Sequence, residues 1–169
     1  LASADKNLSE YQADRIADAS NMTFTIVVSD YHRDIVEALL EGCRKTLLGK
    51  GASRDNISTY HVPGAFELVA GANWVARKLS PDAVITLGCV IKGETPHDRY
   101  INQAVTSSIA KMNTELDLPV IFGLLTVENK KQAQERAGGI HGNKGVECAV
   151  AAIQMVALKK EINQNMMPL

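Results

Sequence analysis

Aromatic residues make up only 5% of this 169-residue chain, and no run of apolar residues is long enough to span a bilayer. The second absence predicts a protein that does not enter a membrane; the first means that a ring found in a loop needs an explanation. Cysteine is scarce too. Cys43, Cys89 and Cys148 are odd in number, far apart and set in apolar stretches, which excludes a disulfide framework and a zinc-knuckle spacing and fits a reducing cytosol. An excess of charge of either sign is missing. With 18 basic against 19 acidic residues the net charge is −1, so there is no electrostatic footprint for nucleic acid or an anionic membrane. The expected partners are small molecules or other proteins. The first residues lack the basic, apolar, small-residue order of a secretion signal, which predicts a cytoplasmic protein; a start at Leu1 instead of Met fits a processed end. There is no repeat of solenoid period and no low-complexity tract.

What is present is a chain with 46% hydrophobic residues, enough for the core of one domain. Residues 1–22 are polar and weakly periodic, which predicts a flexible N-terminal arm outside the core, with one domain over 23–169. Four short runs then read as buried strands: Phe24 to Val28, Ile57 to Val62, Ala83 to Ile91, and Val120 to Leu125. Helical spacing fills the gaps. Ile35, Leu39, Cys43 and Leu47 recur at four-residue steps; Phe66 to Leu79 stops before Ser80-Pro81, and His97 to Leu116 before Leu118-Pro119. Two more helices are expected near Asn129 to Ala137 and from Lys144 to Lys160. Strands alternating with helices require parallel pairing with right-handed crossovers. The predicted fold is a three-layer α/β/α sandwich around a four-stranded parallel, flavodoxin-like sheet.

Ligands of such sheets sit beyond the carboxyl ends of the strands. Here those ends lead into Ser29 to His32, Pro63 to Glu67, Lys92 to His97 and Thr126 to Asn129, four polar loops that can share one rim. Gly93-Glu94-Thr95 suits an anion, because glycine permits close backbone approach and Thr95 can donate; the plainer reading makes Thr95 a helix cap. His97 can move protons near neutrality, or be merely an exposed histidine at a helix start. Arg136 can grip a phosphate with paired donors, or complement the end of a helix before Gly138-Gly139. Lys144 assists that anion or is simply solvated. Tyr31, between Asp30 and His32, has no apolar sequence neighbours to bury it and suits a stacking platform. For Phe66 core packing is the ordinary reading. Glu67 either complements a helix start or accepts hydrogen bonds from a polyol.

Taken in order, these loops resemble the lumazine synthase family. The resemblance runs from about Thr23 to Lys160 and rests on Val62-Pro63-Gly64-Ala65-Phe66-Glu67, on Leu87-Gly88-Cys89-Val90-Ile91-Lys92-Gly93-Glu94-Thr95-Pro96-His97, on Pro119-Val120-Ile121-Phe122-Gly123, and on Glu135-Arg136-Ala137-Gly138 with Gly142-Asn143-Lys144-Gly145. It implies an enzyme with no cofactor and no metal. The implied reaction joins 5-amino-6-ribitylaminouracil to 3,4-dihydroxy-2-butanone 4-phosphate, with loss of phosphate and water, in the penultimate step of riboflavin biosynthesis. It further implies a pyrimidine ring against Tyr31, with Phe122 from an adjacent subunit. Ala65, Phe66, Glu67, Cys89, Val90 and Ile91 would hold the ribityl chain and pyrimidine edge. Gly93, Glu94 and Thr95 would cradle the phosphate with Arg136, and with Lys144, across the subunit boundary. His97 would be the proton shuttle.

The same resemblance implies a homopentamer, with a sixty-subunit icosahedral shell geometrically permitted and riboflavin synthase as a cargo. Some positions depart from the family pattern: Tyr31 where Phe or Trp is usual, Lys92 where Arg is frequent, and Asp98-Arg99 where an aromatic residue and an acid are typical. Two rival readings are a non-catalytic binding module for a flavin or other phosphorylated ligand, and a shell protein that has lost its chemistry. The combination of His97, Arg136 and Glu67 argues against both.

Overall fold

The computed structural model describes residues 9–12 and 15–165. Its centre is strand β1 (Phe24–Ser29), all six residues of which are buried. On one side β1 pairs in parallel with β2 (Ile57–Val62), and on the other with β3 (Ala83–Ile91), which pairs in turn with β4 (Val120–Val127). The order β2-β1-β3-β4 is the flavodoxin-like arrangement expected. β1 and β3 are buried along almost their whole length and are mostly apolar, with Thr25, Ser29 and Thr86 as the buried polar exceptions, because helices cover both their faces, whereas the edge strand β2 buries only Ile57 fully.

Side chains alternate across the pleat and divide the core into two clusters. Phe24, Ile26 and Val28 of β1, with Ile85 and Leu87 of β3, pack under α1 (Arg33–Gly49), α4 (Lys130–Glu135) and α5 (Lys144–Asn165). Val27 and Val84 face α2 (Leu68–Leu79) and α3 (His97–Glu115) through Leu68, Ala72, Val105 and Ile109. Burying one aliphatic side chain of this size contributes roughly 1.5–3 kcal/mol. Asn113 pins α3 to the sheet by donating to the Val120 carbonyl at 2.8 Å while accepting from the Val120 N–H at 2.9 Å.

Two features depart from expectation. Ile16, Ala19 and Met22 belong to the first core cluster, and the Ala19 N–H donates to the Lys50 carbonyl at 2.8 Å. The end of the segment placed outside the core is thus part of it. Those three apolar residues recur at three-residue steps, a pattern diluted by the polar residues between them. The flexibility expected of residues 1–8, 13 and 14 falls outside the described residues. The other feature is a small antiparallel hairpin, β5 (Ala137–Gly139) with β6 (Gly142–Asn143). Its glycines carry no alternating apolar signal from which a strand is read.

The hairpin delivers Asn143 to the start of α5. Its side-chain oxygen accepts from the N–H groups of Gly145 at 2.8 Å and Val146 at 3.4 Å, and its amide donates to the Ala38 carbonyl of α1 at 2.9 Å. That cap brings α5 so close to α1 that a side chain at Gly145 would overlap the Leu39 carbonyl. Gly145→Ala is therefore expected to lower stability by about 1–3 kcal/mol, read from the midpoint of urea unfolding; an unchanged midpoint would refute the tight α1–α5 contact.

Candidate functional site

In a sheet of this order the winding direction reverses between β1 and β3, and a crevice opens beyond their carboxyl ends. A cleft of about 450 Å³ lies there. Loop 30–32 after β1 supplies Tyr31 and His32, the turn after β2 supplies Gly64 to Glu67, and β3 with its loop supplies Cys89, Val90, Ile91, Gly93 and Thr95. The first turns of α3 add His97, Asp98 and Ile101. The loops are braced from outside. Asp30 hydrogen bonds His61 at 3.0 Å, Lys92 pairs with Glu128 at 2.6 Å, and Asp34 in the first turn of α1 pairs with Lys130 at 2.8 Å. The hydrogen bond from Lys130 holds the Asp34 carboxyl below its ordinary range.

Three helices begin at this cleft, and none has a side-chain cap. His32 precedes α1, Glu67 precedes α2 and Pro96 precedes α3, each without a hydrogen bond from its side chain to the helix. The helices that start elsewhere are capped by asparagine: Asn129 accepts from the Gln132 N–H on α4, and Asn143 serves α5. The uncapped first turns of α1 and α3 leave N–H donors and the positive end of the helix dipole for an acceptor to use, whereas at α2 the Leu68 and Val69 N–H groups already donate to the Ala65 and Phe66 carbonyls. Thr95 is not a cap, since Pro96 takes that position. At Gly93 an added Cβ would meet nothing within 4 Å. No contact inside the chain demands glycine there, and its small size leaves the space to the cleft.

Ten of the residues singled out in the sequence thus line one cavity: Tyr31, Ala65, Phe66, Glu67, Cys89, Val90, Ile91, Gly93, Thr95 and His97. Phe66 is 56% exposed, so the core reading of this ring is wrong. Glu94 stands exposed in the loop between two lining residues. Phe122, Arg136 and Lys144 do not line the cleft of this chain. Phe122 lies half-buried on β4, against the α2–α3 cluster. Arg136 closes α4, and its carbonyl accepts from the Lys144 N–H at 2.9 Å. Lys144 is paired with Glu147 at 2.9 Å instead of being simply solvated. Among the described residues the half-buried Arg136 guanidinium has no ion pair. Sequence reasoning assigned no role to His32, Gly64, Asp98 or Ile101. Ile101 was recoverable, because it lies one turn after His97 on the same face of α3. Among the described residues no group of three or more His, Cys, Asp or Glu is placed to hold a metal ion, and no helix is long and apolar enough to cross a membrane.

A doubly wound parallel sheet with apolar walls, two exposed rings, a carboxylate and an imidazole around its switch-point crevice defines a flavodoxin-like protein that handles small molecules. The chain belongs to the 6,7-dimethyl-8-ribityllumazine synthase family, whose model matches residues 21–160. It is 50% identical over 157 residues to the 6,7-dimethyl-8-ribityllumazine synthase of Cytophaga hutchinsonii, covering 93% of this chain and 98% of that one. To the proteins of the same name from Parabacteroides distasonis and Porphyromonas gingivalis it is 48% and 45% identical, covering 92% and 95% of this chain and 98% and 99% of those. Membership makes the protein an enzyme of riboflavin biosynthesis, as the resemblance implied.

The three thiols of this enzyme are all buried. Loss of water around Cys89, helped by the negative charge of Asp34, pushes its pKa up from 9.0 to about 11; burial pushes Cys148 to about 12 and Cys43 well above the ordinary value. Folding therefore favours the protonated thiols. Their contribution to stability is whole below the ordinary thiol pKa of 9.0 and is lost as the pH climbs toward 11 and beyond. Iodoacetamide at pH 8 is expected to leave the native protein unlabelled and to modify all three cysteines in urea; rapid labelling of Cys89 in the native state would contradict its burial.

Proposed function

We propose that this cleft condenses 5-amino-6-ribitylaminouracil with 3,4-dihydroxy-2-butanone 4-phosphate. The amine attacks the ketone, water leaves to form a Schiff base, phosphate is expelled, and ring closure with loss of a second water completes 6,7-dimethyl-8-ribityllumazine. The observation that carries this reading is the convergence of Tyr31, Phe66, Glu67, Thr95 and His97 on one cavity in a member of this family. Tyr31 offers its face to the pyrimidine. Residues Ala65 to Glu67 and Cys89 to Ile91 hold the ribityl chain and the pyrimidine edge, with the Glu67 carboxylate accepting from hydroxyl groups. His97 passes protons between the amine, the carbinol oxygen and the leaving groups.

The phosphate is met by Gly93, Thr95 and the backbone N–H of Glu94, whose carboxylate would repel it. The open first turn of α3 adds donors where negative charge gathers. Arg136, with Lys144 beside it, completes the phosphate site from a neighbouring subunit, and Phe122 of that neighbour closes over the ring. Two observations support a shared site. Arg136 has a guanidinium without an ion pair among the described residues, and Phe66, Trp74 and Tyr100 stand exposed along the α2–α3 face, where another copy would bury them. The assembly is a homopentamer, compatible with closure into a sixty-subunit shell around riboflavin synthase. Its setting is the cytoplasm, and the catalytic unit 23–169 takes the end of the N-terminal segment, from Ile16 to Met22, into its core.

The direct test mixes the two substrates with the protein and follows the absorbance and fluorescence of the lumazine; no product would end this reading. His97→Ala is expected to slow turnover by on the order of 10²-fold without abolishing it, because holding two reactants in register accelerates the reaction by itself. Complete loss of turnover with pyrimidine binding intact would show that the imidazole does more than carry protons. Light scattering of the active species tests the assembly, and an active monomer would refute the shared site.

A further inference from the structure

His32 adopts φ 54° and ψ 52°, in the left-handed region. Among the described residues, Ser80 is the one other non-glycine residue with positive φ. Ser80 ends α2, where a left-handed residue is ordinary. His32 begins α1, where the preceding residue is normally extended and caps the helix with its side chain. His32 does not cap. Its carbonyl accepts from the N–H groups of Ile35 at 2.9 Å and Val36 at 3.1 Å, as any residue at this position could provide. Its imidazole forms no hydrogen bond or ion pair with a described residue. The contact it does make is with the ring before it: Tyr31 and His32 meet edge to face, with centroids 5.5 Å apart and planes at 85°.

The left-handed turn therefore folds the imidazole back against Tyr31 at the mouth of the cleft. Tyr31 needs such a support. It is 68% exposed, and an exposed side chain samples several rotamers unless a neighbour selects one. The backbone beneath is already fixed, since the Asp30 N–H donates to the Val62 carbonyl at 2.9 Å and the Asp30 carboxylate holds His61. We infer that His32 is a positioning residue that holds the Tyr31 ring as a preformed platform for the pyrimidine, so that binding does not have to order it. This rests on the reading of the cleft given above. An unfavourable backbone conformation kept at a functional site, where the side chain has one identifiable contact, is the pattern expected when the contact is what matters.

The test is a double-mutant cycle read by the dissociation constant of 5-amino-6-ribitylaminouracil alone and by KM and kcat in turnover. His32→Asn tolerates the left-handed backbone and removes the ring. It should weaken pyrimidine binding about two- to tenfold with kcat within twofold, and should cost nothing further once Tyr31→Ala is present. His32→Phe, which keeps an edge against Tyr31, should restore binding to within twofold of the unmodified enzyme. Additive losses in the cycle, or equal losses in the Asn and Phe variants, would mean that the imidazole touches the ligand itself and would overturn the inference. So would a silent His32→Asn beside a damaging Tyr31→Ala, although the reading of the cleft would then survive. A silent Tyr31→Ala would sink both.

Discussion

The parallel pairing of β1 with β3 is the constraint on which the rest of the molecule depends. β1 sends its chain through α1 to one side and β3 continues through α3 to the other, so the loops that leave these two strands diverge and cannot close over each other. Both strands are buried on both faces, which requires apolar residues at nearly every position and leaves only their ends to carry chemistry. The register from Phe24 opposite Ala83 to Val28 opposite Leu87 sets those ends at different heights. Cys89 to Ile91 extend past β1 and form one wall, while Tyr31 and His32 turn back over the space that results.

The helix starts show how this arrangement exchanges stability for function. A cap of the kind supplied by Asn129 or Asn143 contributes about 1 kcal/mol, and α1, α2 and α3 each forgo it where they meet the cleft. A side chain satisfying those N–H groups would compete with an anionic or carbonyl ligand for the same donors. Pro96 has the same sense, since at the cap position of α3 it has neither a capping oxygen nor an N–H of its own to satisfy. The interior is treated differently. Asn143 joins the hairpin, α1 and α5 in one hydrogen-bonded node, and Gly145 removes the side chain that would force the two helices apart.

Most of this fold is legible in the sequence because burial on two faces writes continuous apolar runs; the strand starting at Ala83 ends at Ile91, as its run does. Helix ends are marked by Ser80-Pro81 and Leu118-Pro119. What was not legible had signals of other kinds. Ile16, Ala19 and Met22 act as three isolated anchors, too few to raise a helical periodicity, and the β5–β6 hairpin is made by glycine and one turn, without alternation. His32 escaped notice because a left-handed residue is announced by Gly or Asn, and histidine carries no such mark. In the site, the loop residues were found through polarity at strand ends, where an apolar core offers no reason for them. For Phe66 the ordinary core reading fails while the cleft position implied by the resemblance holds, because nothing in its sequence neighbours shows that the turn after β2 faces it out.

The division of the candidate residues between the cleft and the α4–α5 connection follows from topology. Arg136 and Lys144 flank the hairpin that crosses from α4 to α5, on the face of the sheet covered by α1, whereas His97 heads a helix on the opposite face. A short connection cannot carry a side chain around β4 from one layer to the other within one domain. On the proposed reading, fixed positive charge for the phosphate at the rim by His97 would be supplied by Arg136 of another copy, whose planar paired donors suit it. A site shared in this way would make catalysis conditional on assembly. Each chain folds around its own two-layered core; on that reading it would hold the pyrimidine side of the reaction, and the charge that draws phosphate away would arrive with a neighbour. The exposed aromatic residues on α2 and α3 gain a reason on the same terms: a surface that binds another copy can be as apolar as a core, provided that it is covered whenever the enzyme works.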